Sequence, residues 1–318
     1  MFKTLHPQSL RSASLALTAT LAACATGSLH PQPNDTPHHN FDLLPVLVEA
    51  DRPTAAERWF QEGLALETSG AQANAGGVVA SYTKAANLGH AGAQNNLGLL
   101  YYRGQGVDQD FASAAHWFGV AAARGFAPAQ CNRGVMLLLG HHLPQDYAAA
   151  QVLLRAAADQ GEARAQHLLG TIYEQGFGVQ ADLSTAVYWY GKAASRGERL
   201  SQFRLGVLNL VQQAPNANPA AGKRWLESAA AGGLPEAQAL LGTLLRRGTE
   251  LPQDPAAAQR WLEAAAQQGH PSAQYELALL RLAAADREGG LALLQRAAEQ
   301  GLPAAQTRLA ALTSTPAR

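Results

Sequence analysis

Glutamine returns with a fixed period along this chain: Gln94, Gln130, Gln166, Gln202, Gln238 and Gln274 are each 36 residues apart, and Gln306 follows after 32. Gly89, Gly125, Gly161, Gly197, Gly233, Gly269 and Gly301 keep the same spacing, and an alanine pair such as Ala85-Ala86 or Ala193-Ala194 ends three residues before each of them. Three registers in phase define an internal repeat of helix-pair length. Such a chain grows by adding units, each of which buries its apolar face only against its neighbours. The expected fold is therefore all-α, an α/α superhelical solenoid of about seven helix-turn-helix repeats of 36 residues. Length alone, at 318 residues, suggests two domains, but a repeat array does not divide by cores.

The unit His167 to Gln202 shows how each repeat reads. Leu169, Ile172 and Tyr173 recur at helical spacing and predict a first helix that ends near Tyr173. Gly176 and Gly178 then turn the chain, and Asp182 supplies an N-cap oxygen to the second helix. That cap recurs as Asn74, Asp110, Asp146, Asn218 and Asp254. Ala186, Trp189, Tyr190, Ala193 and Ala194 form one stripe of the second helix, which Gly197 ends. Gly170 and Ala193 are expected to let neighbouring helix backbones approach closely. Trp117, Trp189, Trp225 and Trp261 share a register and read as core.

Leu97-Gly98, Tyr101, Gly104, Gly106-Val107, Asp110, Ala114, Trp117-Phe118, Ala121-Ala122, Gly125 and Ala129-Gln130 together resemble the pattern of the Sel-one-like repeat family, a tetratricopeptide-like family. The resemblance runs from about Ala55 to Gln306. Arg133, Leu153 and the stretch Val211 to Asn216 depart from it, which bears on single interfaces rather than on the fold. The resemblance implies a non-catalytic scaffold for protein–protein interaction. Relatives act as outer-membrane lipoproteins in polysaccharide export, as host-interaction factors, and as periplasmic immunity proteins against secreted (type VI) phospholipase effectors. Cysteine-rich relatives bind or hydrolyse β-lactams, but they carry a disulfide pair in each repeat, and this chain has only Cys24 and Cys131.

The N-terminus reads as a processing signal. Lys3 and Arg11 precede a short apolar stretch, Ser12 to Ala23, too short to span a bilayer. Leu21-Ala22-Ala23-Cys24 resembles the bacterial lipobox, which implies acylation of Cys24, and Ala25 in place of aspartate favours the outer membrane on its periplasmic side. Residues 1–23 are thus expected to be a lipoprotein signal peptide, residues 24–53 a polar tether with an apolar segment at 41–50, and residues 54–318 the solenoid. An ordinary signal peptide with a chance cysteine is the alternative.

Other chemistry finds little support. Lys+Arg and Asp+Glu both total 24, so no positive excess points to nucleic acid. Gly104-Gln105-Gly106 and Gly176-Phe177-Gly178 lack the preceding strand and following lysine of a phosphate loop. The pairs His38-His39 and His141-His142 lack convergent ligands, so no metal and no cofactor is expected. Cys131 with His167 lacks a third group for nucleophilic catalysis, and Asp110, beside Asp108, is already the recurring cap. No enzyme activity is expected.

The first helices present a second stripe opposite the core stripe of Ala93, Leu97, Leu100 and Tyr101. It is unusually apolar for a face expected to meet water, and it nominates Tyr102, Phe203, Val207, Leu210, Arg246, Tyr275 and Leu279 as partner-binding residues on the concave side. Three readings stay open: a groove for a protein or peptide, a groove covered by Phe41 to Val48 of the same chain, or a seam buried by tight curvature. A purely structural envelope role, associated with peptidoglycan, is a further alternative.

Overall fold

The computed structural model describes residues 53–69, 75–140, 143–211, 216–248 and 250–313. The calls on residues 1–52, on Asn74 and on His141-His142 lie outside them. Among the described residues there are fifteen helices and no strand. They are α1 (Ala55–Thr68), α2 (Ala75–Asn87), α3 (Ala91–Arg103), α4 (Phe111–Ala123), α5 (Ala127–Leu139), α6 (Tyr147–Asp159), α7 (Ala163–Gln175), α8 (Leu183–Ser195), α9 (Arg199–Leu210), α10 (Pro219–Ala231), α11 (Pro235–Arg247), α12 (Pro255–Gln267), α13 (Pro271–Ala283), α14 (Arg287–Glu299) and α15 (Pro303–Thr313). Odd-numbered helices are the first and even-numbered the second of each repeat, which gives seven pairs and a terminal α15. Helices adjacent in sequence pack together in the manner of a repeat solenoid. Contacts group the chain into two compact units, one ending at Ala165 and one beginning at Gln166.

The three sequence registers turn out to be one local device. At the end of α8, Gly197 takes φ 82°, a left-handed conformation that costs glycine little. This lets Gly197 N–H donate to Ala194 O at 3.0 Å and Glu198 N–H to Ala193 O at 3.1 Å, the paired bonds that close a helix C-terminus. Gln202 Nε2 then donates to the second lone pair of Ala194 O at 3.1 Å. The same glutamine bond occurs from Gln94 to Ala86, Gln130 to Ala122, Gln238 to Ala230 and Gln306 to Ala298. Where the next second helix ends in glutamine, that residue donates back: Gln160 to Gln130, Gln268 to Gln238 and Gln300 to Gln274. Glutamine suits this position because its amide reaches the helix-end carbonyl as a donor, and at Gln130 and Gln238 it also accepts a bond.

The predicted caps form. The side-chain oxygens of Asp110, Asp146, Asp182, Asn218 and Asp254 accept from backbone N–H groups of the first turn of α4, α6, α8, α10 and α12. The loop glycines are equally constrained. Gly106 has φ 74°, and a Cβ there would stand 2.8 Å from Ala75 O, at the start of α2.

Packing between the two helices of a repeat is a socket and a plug. A Cβ on Gly98 would meet the Phe118 ring at 2.7 Å, on Gly170 the Tyr190 ring at 2.5 Å, and on Gly242 the Leu262 side chain at 2.7 Å. The expectation for Gly170 is therefore corrected: the missing Cβ makes room for an aromatic ring, not for a neighbouring backbone. The plugs Tyr82, Phe118, Leu154, Tyr190, Leu226 and Leu262 are all essentially fully buried. Burying each contributes about 1.5–3 kcal/mol. Trp189 is buried too, whereas Trp117, Trp225 and Trp261 are partly buried against core clusters.

Candidate functional site: the face of the first helices

The first helices are more deeply enclosed than their sequence pattern suggests. All residues from Gly92 to Leu100 of α3 are buried, on the expected core stripe and on the opposite one alike. Consecutive first helices lie side by side within a unit, as shown by Asn132 Nδ2 of α5 donating to Asn95 Oδ1 of α3 at 2.9 Å. A helix with neighbours on three sides has little left to show to water. In the first unit this turns much of the first-helix face into seam: Leu99, Cys131, Val135 and Leu138 are buried.

The nominated residues divide accordingly. Leu210 is only 7% exposed and belongs to a core cluster with Leu226 and Leu241, so its place is corrected from surface to interior. Leu138, its counterpart on the full-length α5, is buried as well, so the cause is the packing of neighbouring helices around this register. Tyr102, Phe203, Val207, Arg246, Tyr275 and Leu279 are half-buried. Tyr102 stands edge-on to Phe111 with ring centroids 5.2 Å apart. Beside it, Leu99, Phe118, Val135 and Met136 with Asn132 and Arg164 line a hollow of about 10 Å³, room for one water. Phe203 packs on the cluster around Leu226 and Leu241, and Tyr275 on the cluster around Leu294 and Ala297. The second unit thus carries Phe203, Val207, Arg246, Tyr275 and Leu279 in related registers on its first helices.

The second unit also holds a buried polar network. Glu174 of α7 pairs with Arg204 of α9, and Tyr190 Oη donates to Glu174 Oε2 at 2.7 Å and lies 3.1 Å from Thr171 Oγ1. Burial, then the Glu174 charge, pushes the Tyr190 phenol far above its usual range. Burial works against the Arg204 charge, but Glu174 and then Tyr190 hold the guanidinium above its ordinary value. His167 Nδ1 lies 2.8 Å from Ser201 Oγ and 3.4 Å from Glu198 Oε2, with its ring against Tyr190. Burial holds this imidazole below its ordinary value, partly opposed by Glu198.

A serine, a histidine and a glutamate together invite comparison with a hydrolase triad, but the geometry is wrong. Ser201 and Glu198 contact the same ring nitrogen, where a triad uses opposite ones, and Ser201 has no exposed surface. The cluster is structural. The sequence pointed to His167 through Cys131, which is itself buried in α5, and missed Ser201, Glu198 and Arg204. The signal that was available is a carboxylate and a guanidinium on consecutive first helices, 30 residues apart. Among the described residues, no cluster of three or more His, Cys, Asp or Glu side chains is placed to hold a metal. Nor is any helix long and apolar enough to cross a membrane.

Paired helices with recurring caps and half-buried aromatic residues on their first helices define a helical-repeat scaffold. Six consecutive segments, residues 91–126, 127–162, 163–198, 199–234, 235–270 and 271–302, match the Sel1 repeat, and the chain belongs to the Sel1 repeat family. Such repeats generally build non-catalytic scaffolds for protein–protein interaction. Among solved structures, the chain is similar to a protective antigen of uropathogenic Escherichia coli with an SLR fold, at 29% identity and a TM-score of 0.68. That alignment covers 83% of this chain and 58% of the antigen, so the chain spans little more than half of that relative. A Sel1 repeat protein from Oxalobacter formigenes is similar at 30% identity and a TM-score of 0.68, over 81% of this chain and 76% of the other. An immunity protein from Pseudomonas aeruginosa is more distant, at 20% identity and a TM-score of 0.45, over 70% of this chain and 84% of the other. No curated protein matches the chain.

Proposed function

We propose that this protein is a non-catalytic adaptor that grips a protein or peptide partner on the first helices of its second unit, at Phe203, Val207, Arg246, Tyr275 and Leu279. The observation that carries this reading is the pair of rings Phe203 and Tyr275, half-buried in equivalent positions of α9 and α13. Rings set partway into a rigid surface lose little freedom on binding and are the commonest anchors of interfaces. Tyr102 extends the same chemistry to α3. The sequence Leu21-Ala22-Ala23-Cys24 supports attachment through lipid on Cys24 to the outer membrane, with the repeats in the periplasm. Several acyl chains, at about 0.8 kcal/mol per buried CH₂, hold such an anchor firmly.

Photo-crosslinking groups placed at Phe203 and at Tyr275 of the membrane-anchored chain test the partner site. Controls at Val152 and Tyr188, which are 69% and 54% exposed on second helices, report accidental collisions. A discrete crosslinked species from the first-helix positions alone supports the reading. Equal yield from the controls, or crosslinks only from them, moves the site to the second helices.

A further inference from the structure

One place on the second unit's first helices gathers two cations around one carboxylate. Glu174 and Arg204 form one ion pair, with a tyrosine hydroxyl also donating to the carboxylate. Two repeats later the same two positions hold Arg246 and Glu276, with the signs exchanged, and here a second cation joins. Arg246 Nη2 lies 2.5 Å from one oxygen of Glu276 and Arg247 Nη2 lies 2.8 Å from the other. Glu276 is buried and Arg246 half-buried, but the Arg247 side chain is 54% exposed. Two guanidiniums converge on one carboxylate, and the more exposed one retains N–H donors directed to solvent.

The surroundings narrow what would meet that charge. Tyr275 and Leu279 flank Glu276 on α13, one turn apart on a common face, and Phe203 repeats the aromatic position on α9. A guanidinium matches a carboxylate in planar two-point geometry, while half-buried rings accept apolar side chains. With formal net charge +0 over the chain, no extended basic surface suits a nucleic acid.

We infer that the occupant of this face is a segment of a partner protein with an Asp or Glu side chain beside apolar ones. The carboxylate lies on Arg247, and the apolar side chains lie on Phe203, Tyr275 and Leu279. This rests on the reading of the first-helix face as the partner site and adds the chemistry of the partner.

The test is a selection of random peptides of about twelve residues against the immobilised full chain, long enough to run the length of one first helix. Enriched peptides are then titrated by fluorescence anisotropy together with versions in which Asp or Glu is replaced by its amide. The expected result is enrichment of acidic residues next to Phe, Leu or Ile. Arg247→Gln leaves the Arg246–Glu276 pair in place and should weaken the acidic peptide about two- to fivefold, the size of a partly solvated ion pair. It should hardly change the amide version, and Arg247→Lys should recover part of the loss. Phe203→Ser should weaken both versions. Peptides without acidic preference, lost with Phe203→Ser but indifferent to Arg247→Gln, overturn the charge inference and leave the face standing. No enrichment, or binding indifferent to both substitutions, overturns the face as well.

Discussion

Two glycine-to-alanine substitutions less than one repeat apart should change stability in opposite directions. Gly170 sits in α7 against the Tyr190 ring, and a Cβ would fall 2.5 Å from Cδ1 and 2.6 Å from Cε1. Carbon atoms pack best near 3.5–4.0 Å, so the ring must retreat by about 1 Å or more. It is poorly free to do so, because its hydroxyl is held at 2.7 Å by Glu174 and at 3.1 Å by Thr171. Overpacking of this kind costs about 1–3 kcal/mol, and the upper end applies where the plug is pinned at its far end. Alanine returns about 1 kcal/mol of helix propensity, so Gly170→Ala should destabilise by about 1–2 kcal/mol. Gly191 in α8 has no atom within 4 Å of an added Cβ, so Gly191→Ala should stabilise by about 0.5–1 kcal/mol. Urea unfolding of the full chain, followed by the fluorescence of its five tryptophans, reads both. A Gly170→Ala midpoint at or above wild type would refute the socket as the reason for glycine there.

Three further outcomes are expected. Gln238→Leu removes the donor to Ala230 O at 3.0 Å and the acceptor for Gln268 Nε2 at 2.8 Å; it should cost about 1–3 kcal/mol by urea midpoint, and an unchanged midpoint would deny the amide its role. His167 and His270 are held below the ordinary imidazole value of 6.5 chiefly by burial, so the unfolded chain binds more protons than the folded one. Their contribution is then complete above that value and is lost as pH falls below it; midpoints measured from about pH 8 to pH 5 should drop at the acid end, and less so in His167→Gln. Cys24→Ser should abolish metabolic labelling with palmitate and release the protein from the membrane fraction, and equal labelling of mutant and wild type would remove the anchor from the account.

The repeat, the caps and the loop turns were legible because each is set by local geometry. Asp182 caps whatever helix follows it, and Gly197 supplies a left-handed turn wherever an Ala-Ala pair precedes it. Enclosure was legible only in part. Periodicity assigns a helix one buried stripe, whereas α3 and its counterparts touch neighbours on several sides, a fact of stacking that a single repeat does not contain. Leu210 was misplaced for that reason, and Leu99 and Val135 belong to the same seam. Arg204 as the partner of Glu174 escaped notice because a charged pair on consecutive first helices looks like solvated surface until the seam is known to be enclosed. Gly170 was seen as necessary, but its purpose was visible only with the Tyr190 ring in place.

The central claim is that the first helices of the second unit bind the partner, and Phe203→Ser combined with Tyr275→Ser tests it most directly. Both rings are half-buried, so the helical circular dichroism should persist and the urea midpoint should fall less than for removal of the fully buried Tyr190 ring. Affinity for the partner identified by crosslinking, measured by titration calorimetry, should fall about thirtyfold, equivalent to about 2 kcal/mol for aromatic anchors. A folded double variant that binds its partner with unchanged affinity, or a variant that unfolds because the rings are core, would contradict the account.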